Sequence, residues 1–387
     1  MQRLPREVYA LGAVSFLSDV ASEMVYPLLP LFLTGVLGAS ATLVGLVEGI
    51  AEATASLFKV VGGHLSDRTG VRKPFLLFGY GLPALLRPVL ALAQVPSQVL
   101  AFRFLDRLGK GIRTAPRDAL IAESTPPEAY GRAYGLHRAM DTLGAALGPT
   151  LAFFLLPWLG FRGVFWASAL PAGLAALVVF LFLKERPKPK AQAFPLRPSR
   201  LSPQYRRFLL VSLVAAMGLS SNAFLLLRLS ELGLSATQTT LAYTAYNLLY
   251  ALLAMPAGAL ADRVGLRRMV LWGWALYTLV YLGFALSTTA WQGVLWLIVY
   301  AGYSAAFEGS SRAYLATLVP QEEKAGAIGL YHTATGLALL PASLLFGAIW
   351  EHLGSSWAFA TSAGFSLTAL WLLGLDLPKG SRPHGKG

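Results

Sequence analysis

Two stretches decide the fold: Gly63-His64-Leu65-Ser66-Asp67-Arg68-Thr69-Gly70-Val71-Arg72-Lys73 and Gly258-Ala259-Leu260-Ala261-Asp262-Arg263-Val264-Gly265-Leu266-Arg267-Arg268. They are two copies of one phrase, Gly-x-x-x-Asp-Arg-x-Gly-x-Arg-Lys/Arg. Asp67 and Asp262 stand 195 positions apart, and each copy lies between two long apolar runs. At the same offset Arg117 corresponds to Arg312, Leu120 to Leu315 and Gly131 to Gly326. The chain reads as one membrane unit written twice. Duplicated halves around a central path are a transporter design.

The composition agrees. Of 387 residues 55% are hydrophobic and 13% charged, about half the charged share of a soluble domain. The mean hydropathy is +0.57. The apolar runs have helix length and lack the alternation of outer-membrane barrel strands. No cleavable signal peptide is expected, because the apolar stretch from Val8 is too long for a signal core. With about 20 apolar residues needed per span, twelve spans are predicted. They run over 8–33, 42–66, 74–94, 97–115, 130–156, 161–183, 206–229, 236–261, 268–288, 291–314, 326–350 and 355–376.

The net charge of +13 is not spread as a nucleic-acid surface would be. Basic residues crowd every second loop: Arg68, Arg72 and Lys73; Arg117 and Arg132; Arg263, Arg267 and Arg268; and Lys324. The alternate loops 35–41, 94–98 and 287–292 hold no Lys or Arg, and Arg162 is the main exception. The positive-inside rule therefore puts both termini in the cytoplasm of a multi-pass protein of the bacterial inner membrane. Residues 184–206 are basic and proline-rich, a cytoplasmic linker between a six-helix bundle at 1–183 and a second at 207–387 with a short tail. The expected fold class is all-α and polytopic, with 12 transmembrane helices in two pseudosymmetric six-helix bundles. Cysteine is absent, so thiol chemistry and disulfides are excluded.

The twelve spans, the basic central loop and the phrase repeated after spans 2 and 8 resemble the major facilitator superfamily over essentially the whole chain. Physically, Gly63 and Gly258 are expected to let helices approach, and Gly70 and Gly265 to permit tight turns. Asp67 and Asp262 sit at helix C-termini, where the dipole disfavours an anion and a partner is needed. The resemblance implies that these loops, with Arg68, Arg72, Arg263 and Arg267, latch the cytoplasmic side and release as the halves rock. A plain turn and topology signal is the simpler reading. A second resemblance lies in span 5. Gly135, Gly144 and Gly148-Pro149 match the core of a motif linked to drug–proton antiporters, although the usual trailing Gly-Gly is replaced by Thr150-Leu151. Ordinary small-residue packing is the alternative, with Pro149 kinking the helix.

Ionisable groups at bilayer depth are expensive and mark function. Asp19 and Glu23 share a face of span 1, as do Glu48 and Glu52 of span 2. Span 4 carries Arg103, Asp106, Arg107, Lys110 and Arg113; span 3 has Arg87, and span 5 has His137, Arg138 and Asp141. A rise of ~1.5 Å per residue puts Asp19 level with Glu52 near the midplane and Glu23 level with Glu48. Arg107 and Arg103 reach the same two levels and are the expected partners of Asp19 and Glu23. A carboxylate that gains or loses an Arg partner changes its proton affinity, so a proton-coupling role is predicted for this group, with a static buried ion pair as the alternative. In the second half Arg228, Asn222, Asn247, Glu308, Arg312 and His332 are the polar groups at depth. Glu308 stands where Arg113 stands in the first half. Tyr243, Tyr246, Tyr250, Tyr303 and Phe307 are candidates to line an amphipathic cavity or to pack as core.

No metal-ligand spacing, phosphate loop or nucleophile–base arrangement is visible. The chain is expected to be no enzyme, to need no cofactor beyond a proton gradient, and to act as a monomer in the bilayer on a small-molecule substrate and protons. Proton-coupled efflux of amphipathic, cationic molecules is the first expectation. Proton-coupled import of a nutrient and a non-transporting membrane receptor are the alternatives.

Overall fold

The structure is a computed structural model and describes residues 4–126, 129–184, 202–319 and 324–374. The proline-rich segment 185–201 and the side chains of Gly131, Arg312, Lys324 and Gly326 lie outside the described residues. Among the described residues there is no strand. The helices are α1 (Arg6–Val25), α2 (Leu29–Gly35), α3 (Ala41–Thr69), α4 (Lys73–Ala91), α5 (Pro96–Ser124), α6 (Tyr130–Phe182), α7 (Pro203–Met217), α8 (Asn222–Glu231), α9 (Ala236–Val264), α10 (Leu266–Leu286), α11 (Ala290–Thr317), α12 (Lys324–Leu353) and α13 (Ser355–Gly374).

These thirteen helices make the twelve predicted spans. α1 and α2 form a first span interrupted around Pro27, and α7 and α8 form a seventh interrupted at 218–221. α6 is two spans, because the backbone leaves helical geometry at Gly160 (φ 61°), a left-handed conformation that glycine takes freely. The chain stays helical through Pro149, so the predicted kink is not a break. α5 falls short of a simple apolar span because it carries the charges of the fourth membrane pass.

The duplication is visible in local structure. Ser40 caps α3 by accepting from the Leu43 amide, and Ser235, 195 residues on, caps α9 by accepting from the Gln238 amide. The repeated phrase ends α3 at Gly70 (φ 74°) and α9 at Gly265 (φ 96°), where left-handed backbone turns the chain into the next helix. The predicted close approach is uneven. A Cβ on Gly63 would sit 3.1 Å from Ala115, but Gly62, beside it, lies directly against the Ile112 backbone of α5. Gly258 has nothing within 4 Å, so it serves no close approach here.

The two halves meet along α3 and α12. Gly45 lies on the Ser343 carbonyl, a Cβ on Gly49 would come within 2.9 Å of Leu340 Cα, and one on Gly347 within 2.5 Å of the Ala41 carbonyl. These contacts run from the midplane to the end opposite the repeated Asp-Arg loops. That far end is closed, and Thr42 N donates to Glu351 there at 3.3 Å. Arg162, the basic exception on this side, donates to the Ala91 carbonyl at 2.7 Å and lies 5.4 Å from the Phe32 ring centre, so its charge is accommodated locally.

Candidate transport site

The charged face of α5 organises the first half. Arg103 and Arg107 are one turn apart, as are Glu48 and Glu52 on α3, so the two helices meet as a ladder. Arg103 donates to both Glu48 oxygens at 2.7 and 2.9 Å, and Arg107 lies 3.6 Å from Glu52. The first pair is fully enclosed, with Glu48 2% and Arg103 4% exposed. Arg87 of α4 reaches Asp106 at 3.6 Å and donates to the Ala21 carbonyl and Ser22 hydroxyl of α1. Arg113 donates to the Gly79 carbonyl and Ser18 and lies 4.1 Å from the Tyr80 ring centre.

The predicted level matching of Glu48 with Arg103 and Glu52 with Arg107 is therefore seen as contact. The expected pairing of those arginines with Asp19 and Glu23 is not. α1 turns Asp19 away from them toward α6, where it meets Asp141 within hydrogen-bonding reach. Two carboxylates held that close repel each other, so a proton placed between them would stabilise the pair. Asp141 also accepts from Ser15 at 2.7 Å and from Arg138 at 3.1 Å. Glu23 accepts from the Tyr243 hydroxyl of α9 at 3.2 Å, across the interface between halves. The reason lies in helix rotation, which depth arithmetic does not fix.

The span-5 motif explains why these two acids sit where they do. A Cβ on Gly144 would lie 3.0 Å from Asp19 Cβ, and one on Gly148 2.7 Å from Glu23 Cβ. The two glycines are the seats of the two acids, and they bring α1 and α6 into backbone contact. Gly135, the motif's first glycine, meets nothing within 4 Å.

A polar chain continues into the second half. Arg138 reaches the Tyr250 hydroxyl as well as Asp141, and Tyr250 donates to Glu308 at 2.9 Å. Tyr246 stacks on Tyr243, Tyr250 and Tyr300, with ring centres 5.6 to 6.5 Å apart, and Tyr303 stacks on Phe307. Tyr243, Tyr246 and Tyr303 are buried and pack as core, and Tyr243 meets Glu23 of the first half. Sequence reasoning passed over Ser15 and Tyr26, small or aromatic residues whose hydroxyls complete the network. His332 packs edge-on against Tyr331.

At the repeated loops Asp67 finds its partner in the same phrase. Arg72 donates to it at 2.6 Å and bridges to Glu123 of α5 at 2.8 Å. Burial alone would lower the Arg72 pKa, but the bonds from Glu123 and Asp67 outweigh it and raise it. Asp262 is exposed and joins no ion pair among the described residues. Arg68 and Arg263 are exposed, and Arg267 donates to the Leu373 carbonyl of α13 at 2.6 Å. Among the described residues no cluster of acids and histidines could hold a metal.

The sequence matches the model of the Major Facilitator Superfamily over residues 11–226 and 208–387. It is 34% identical to an uncharacterized MFS-type transporter of Methanocaldococcus jannaschii over 360 residues, 90% of each chain. It is 33% identical to the multidrug resistance protein MdtH of Edwardsiella ictaluri over 153 residues, 40% of this chain and 38% of that one. The fold superposes on the crystal structure of a point mutant of the nucleoside transporter NupG with a TM-score of 0.82 at 15% identity, covering 96% of this chain and 100% of that one.

Proposed function

This chain belongs to the Major Facilitator Superfamily and is a multi-pass membrane transporter of that kind, and on that premise we propose that it exports amphipathic, cationic small molecules in exchange for protons. One observation carries the reading: a continuous polar chain from the Asp19–Asp141 pair through Arg138 and Tyr250 to Glu308, crossing from one half to the other. Asp141 already accepts from Ser15 and Arg138, so Asp19 is the natural holder of the shared proton. Rocking the halves apart at this level separates Arg138 from Tyr250 and Glu308. The guanidinium then turns fully to the acid pair, and its positive charge favours release of the proton.

The substrate class follows from the walls. Glu23 and Glu308 offer negative charge, and Tyr243, Tyr246, Tyr250 and Tyr300 offer aromatic faces that attract cations and flat apolar groups. The partial likeness to MdtH, named for multidrug resistance, supports the same direction. The repeated Asp-Arg loops then lie in the cytoplasm, with both termini, in a bacterial inner membrane. Two six-helix bundles joined by residues 184–206 act as one monomer, with the proton gradient as energy source and no cofactor.

Proteoliposomes test this. An imposed pH gradient, more acidic on the side opposite the Asp-Arg loops, should drive uphill export of a lipophilic cation such as ethidium. Asp19→Asn should abolish gradient-driven flux while leaving downhill exchange. Gradient-driven accumulation in the opposite direction would make the protein an importer, and undiminished coupling in the Asp19 variant would overturn the assigned proton site.

A further inference from the structure

The starts of α3 and α9 carry the same three residues, Ser40-Ala41-Thr42 and Ser235-Ala236-Thr237, and part at the fourth, where Leu43 stands in place of Gln238. That one difference decides how each helix start is closed. In α9 the Ser235 hydroxyl accepts from the Gln238 amide at 3.2 Å, and the Gln238 side chain accepts from the Ser235 amide at 2.9 Å. This reciprocal box is made within one turn of chain. In α3 the Ser40 hydroxyl accepts from the Leu43 amide at 3.3 Å, but the Leu43 side chain has no acceptor to return. The first-turn amides of a helix need partners from outside the helix. For α3 the acceptor comes from the other half of the protein. Glu351 of α12 accepts from the Thr42 amide at 3.3 Å, with the Ser40 hydroxyl also within hydrogen-bonding reach.

Charge placement makes this contact depend on the state of the molecule. Glu351 lies in the last turn of α12, where the helix dipole disfavours an anion. Its carboxylate is favoured while it faces the N-terminus of α3 and disfavoured when it stands alone. His352, beside it, is the basic group of that turn and is exposed to solvent. Packing agrees with the charges. Gly347 lies one turn before Glu351 on the same face of α12. A Cβ there would run into the Ala41 carbonyl and come within 2.9 Å of Thr42 Cα, so the glycine is what lets α12 bring Glu351 to the amide. The duplication supplies no second copy. The position equivalent to Glu351 is Leu156, which is buried and has no acceptor, and no side chain accepts from the Thr237 amide among the described residues.

We propose that Glu351 is a latch, a carboxylate of the second half that completes the first turn of a first-half helix and holds closed the end opposite the repeated Asp-Arg loops. When the halves part at that end, the Thr42 amide loses its acceptor and Glu351 is left at the unfavourable end of its own helix. The latch weights the resting equilibrium toward the state closed at this end, and its release is part of opening the path there. It acts on one seam of a pseudosymmetric frame, and it does so whatever substrate or ion the protein carries.

The test uses the full chain in lipid nanodiscs. The chain has no cysteine, so Ser97→Cys and Thr288→Cys put one spin label on each half, at exposed positions of this end that do not touch the latch. Electron–electron distance measurements then give the ratio of closed to open protein. Glu351→Gln and Glu351→Ala should lower that ratio about two- to fivefold, the range that one charge at a helix end commands. Glu351→Lys should lower it further, because its cation meets the positive end of α3. A second readout needs no variant at residue 351. In the unaltered protein the Thr42 amide should exchange its hydrogen several-fold more slowly than the Thr237 amide, its counterpart in the repeat. A ratio unchanged in all three variants, or equal exchange at Thr42 and Thr237, overturns the latch. Either result leaves the proton and substrate assignments as they stand.

Discussion

Tyr26 and Ser221 occupy equivalent positions in the two halves, 195 residues apart, and their hydroxyl oxygens meet at 3.2 Å. Equivalent positions of a duplicated frame can touch only near the axis that relates them. The axis therefore passes through the interruptions of the first and seventh spans. Ser221 donates onward to Glu48 at 3.0 Å, and the Arg103 guanidinium that holds Glu48 lies 5.7 Å from the Tyr26 ring centre. The symmetric contact thus leads straight into an asymmetric ion pair. Ser221→Ala should destabilise the far-closed state by about 1 kcal/mol, the worth of an ordinary buried hydrogen bond. Tyr26→Phe should cost a similar amount. Because the two share one bond, the double variant should cost clearly less than the sum, as read by thermal unfolding in nanodiscs.

The Glu48–Arg103 pair sets a sterner test. Both groups are enclosed, so removing one leaves a buried charge without its counterion. Glu48→Gln or Arg103→Gln should each destabilise the protein by about 3 kcal/mol or more. The double variant removes both charges and should recover much of that loss. Thermal unfolding of the four proteins gives the coupling directly. Near-additive effects would mean that the pair is not the closed unit its geometry describes. The exposed Glu52–Arg107 pair, with Glu52 39% exposed, should show a much smaller coupling.

The fold was almost fully legible, because span length, loop charge and a repeated turn are local properties of sequence. Ser40 and Ser235, Gly70 and Gly265 were fixed by neighbours within a few residues. The acids of the site were legible too, since burying charge in a bilayer is unusual in itself. Their partners were not. Asp19 was matched with Arg107 by depth, and it meets Asp141 instead, because depth leaves the rotation of α1 free. What fixes that rotation is the pair of glycines on α6. They were read as a packing face, but from sequence alone nothing says which residues rest on them. Ser221 was invisible for another reason: its repeat partner is Tyr26, and the duplication no longer keeps the residue type there.

Those glycines give the third prediction. A Cβ on Gly148 would meet Glu23 Cβ at 2.7 Å and the Val20 carbonyl at 2.7 Å, and neither the α1 backbone nor a Cβ can move aside alone. Gly148→Ala should cost about 1–3 kcal/mol by overpacking and should displace Glu23 from Tyr243. Gly144→Ala should act likewise on Asp19. Gly135→Ala, where nothing lies within 4 Å, should be neutral or slightly stabilising, since alanine is the better helix former. Melting temperatures and exchange rates of the three variants check this. Equal effects at all three positions would mean that the motif acts as a general small-residue stripe and not as two seats.

The repeated loops look alike in sequence but are wired differently, and that difference is testable. Arg72 joins Asp67 to Glu123 on α5, so the end of α3 is held to its neighbour through two ion pairs. In the second half the position equivalent to Glu123 is Leu318, which can accept nothing from a guanidinium. Asp262 stands exposed with no such bridge. Both aspartates are open to solvent, Asp67 at 44%, so neither substitution should move global stability by more than about 1 kcal/mol. Transport rate should separate them. Asp67→Asn loosens the α3–α5 end that must move as a unit, and a fall of about fivefold or more in exchange rate is expected. Asp262→Asn should stay within about twofold of the unaltered protein. Glu123→Gln should resemble Asp67→Asn, since it cuts the same bridge at its other end. If Asp262→Asn proves as damaging as Asp67→Asn, the second loop must gain a partner in another conformation, and the latch is then shared equally by both halves.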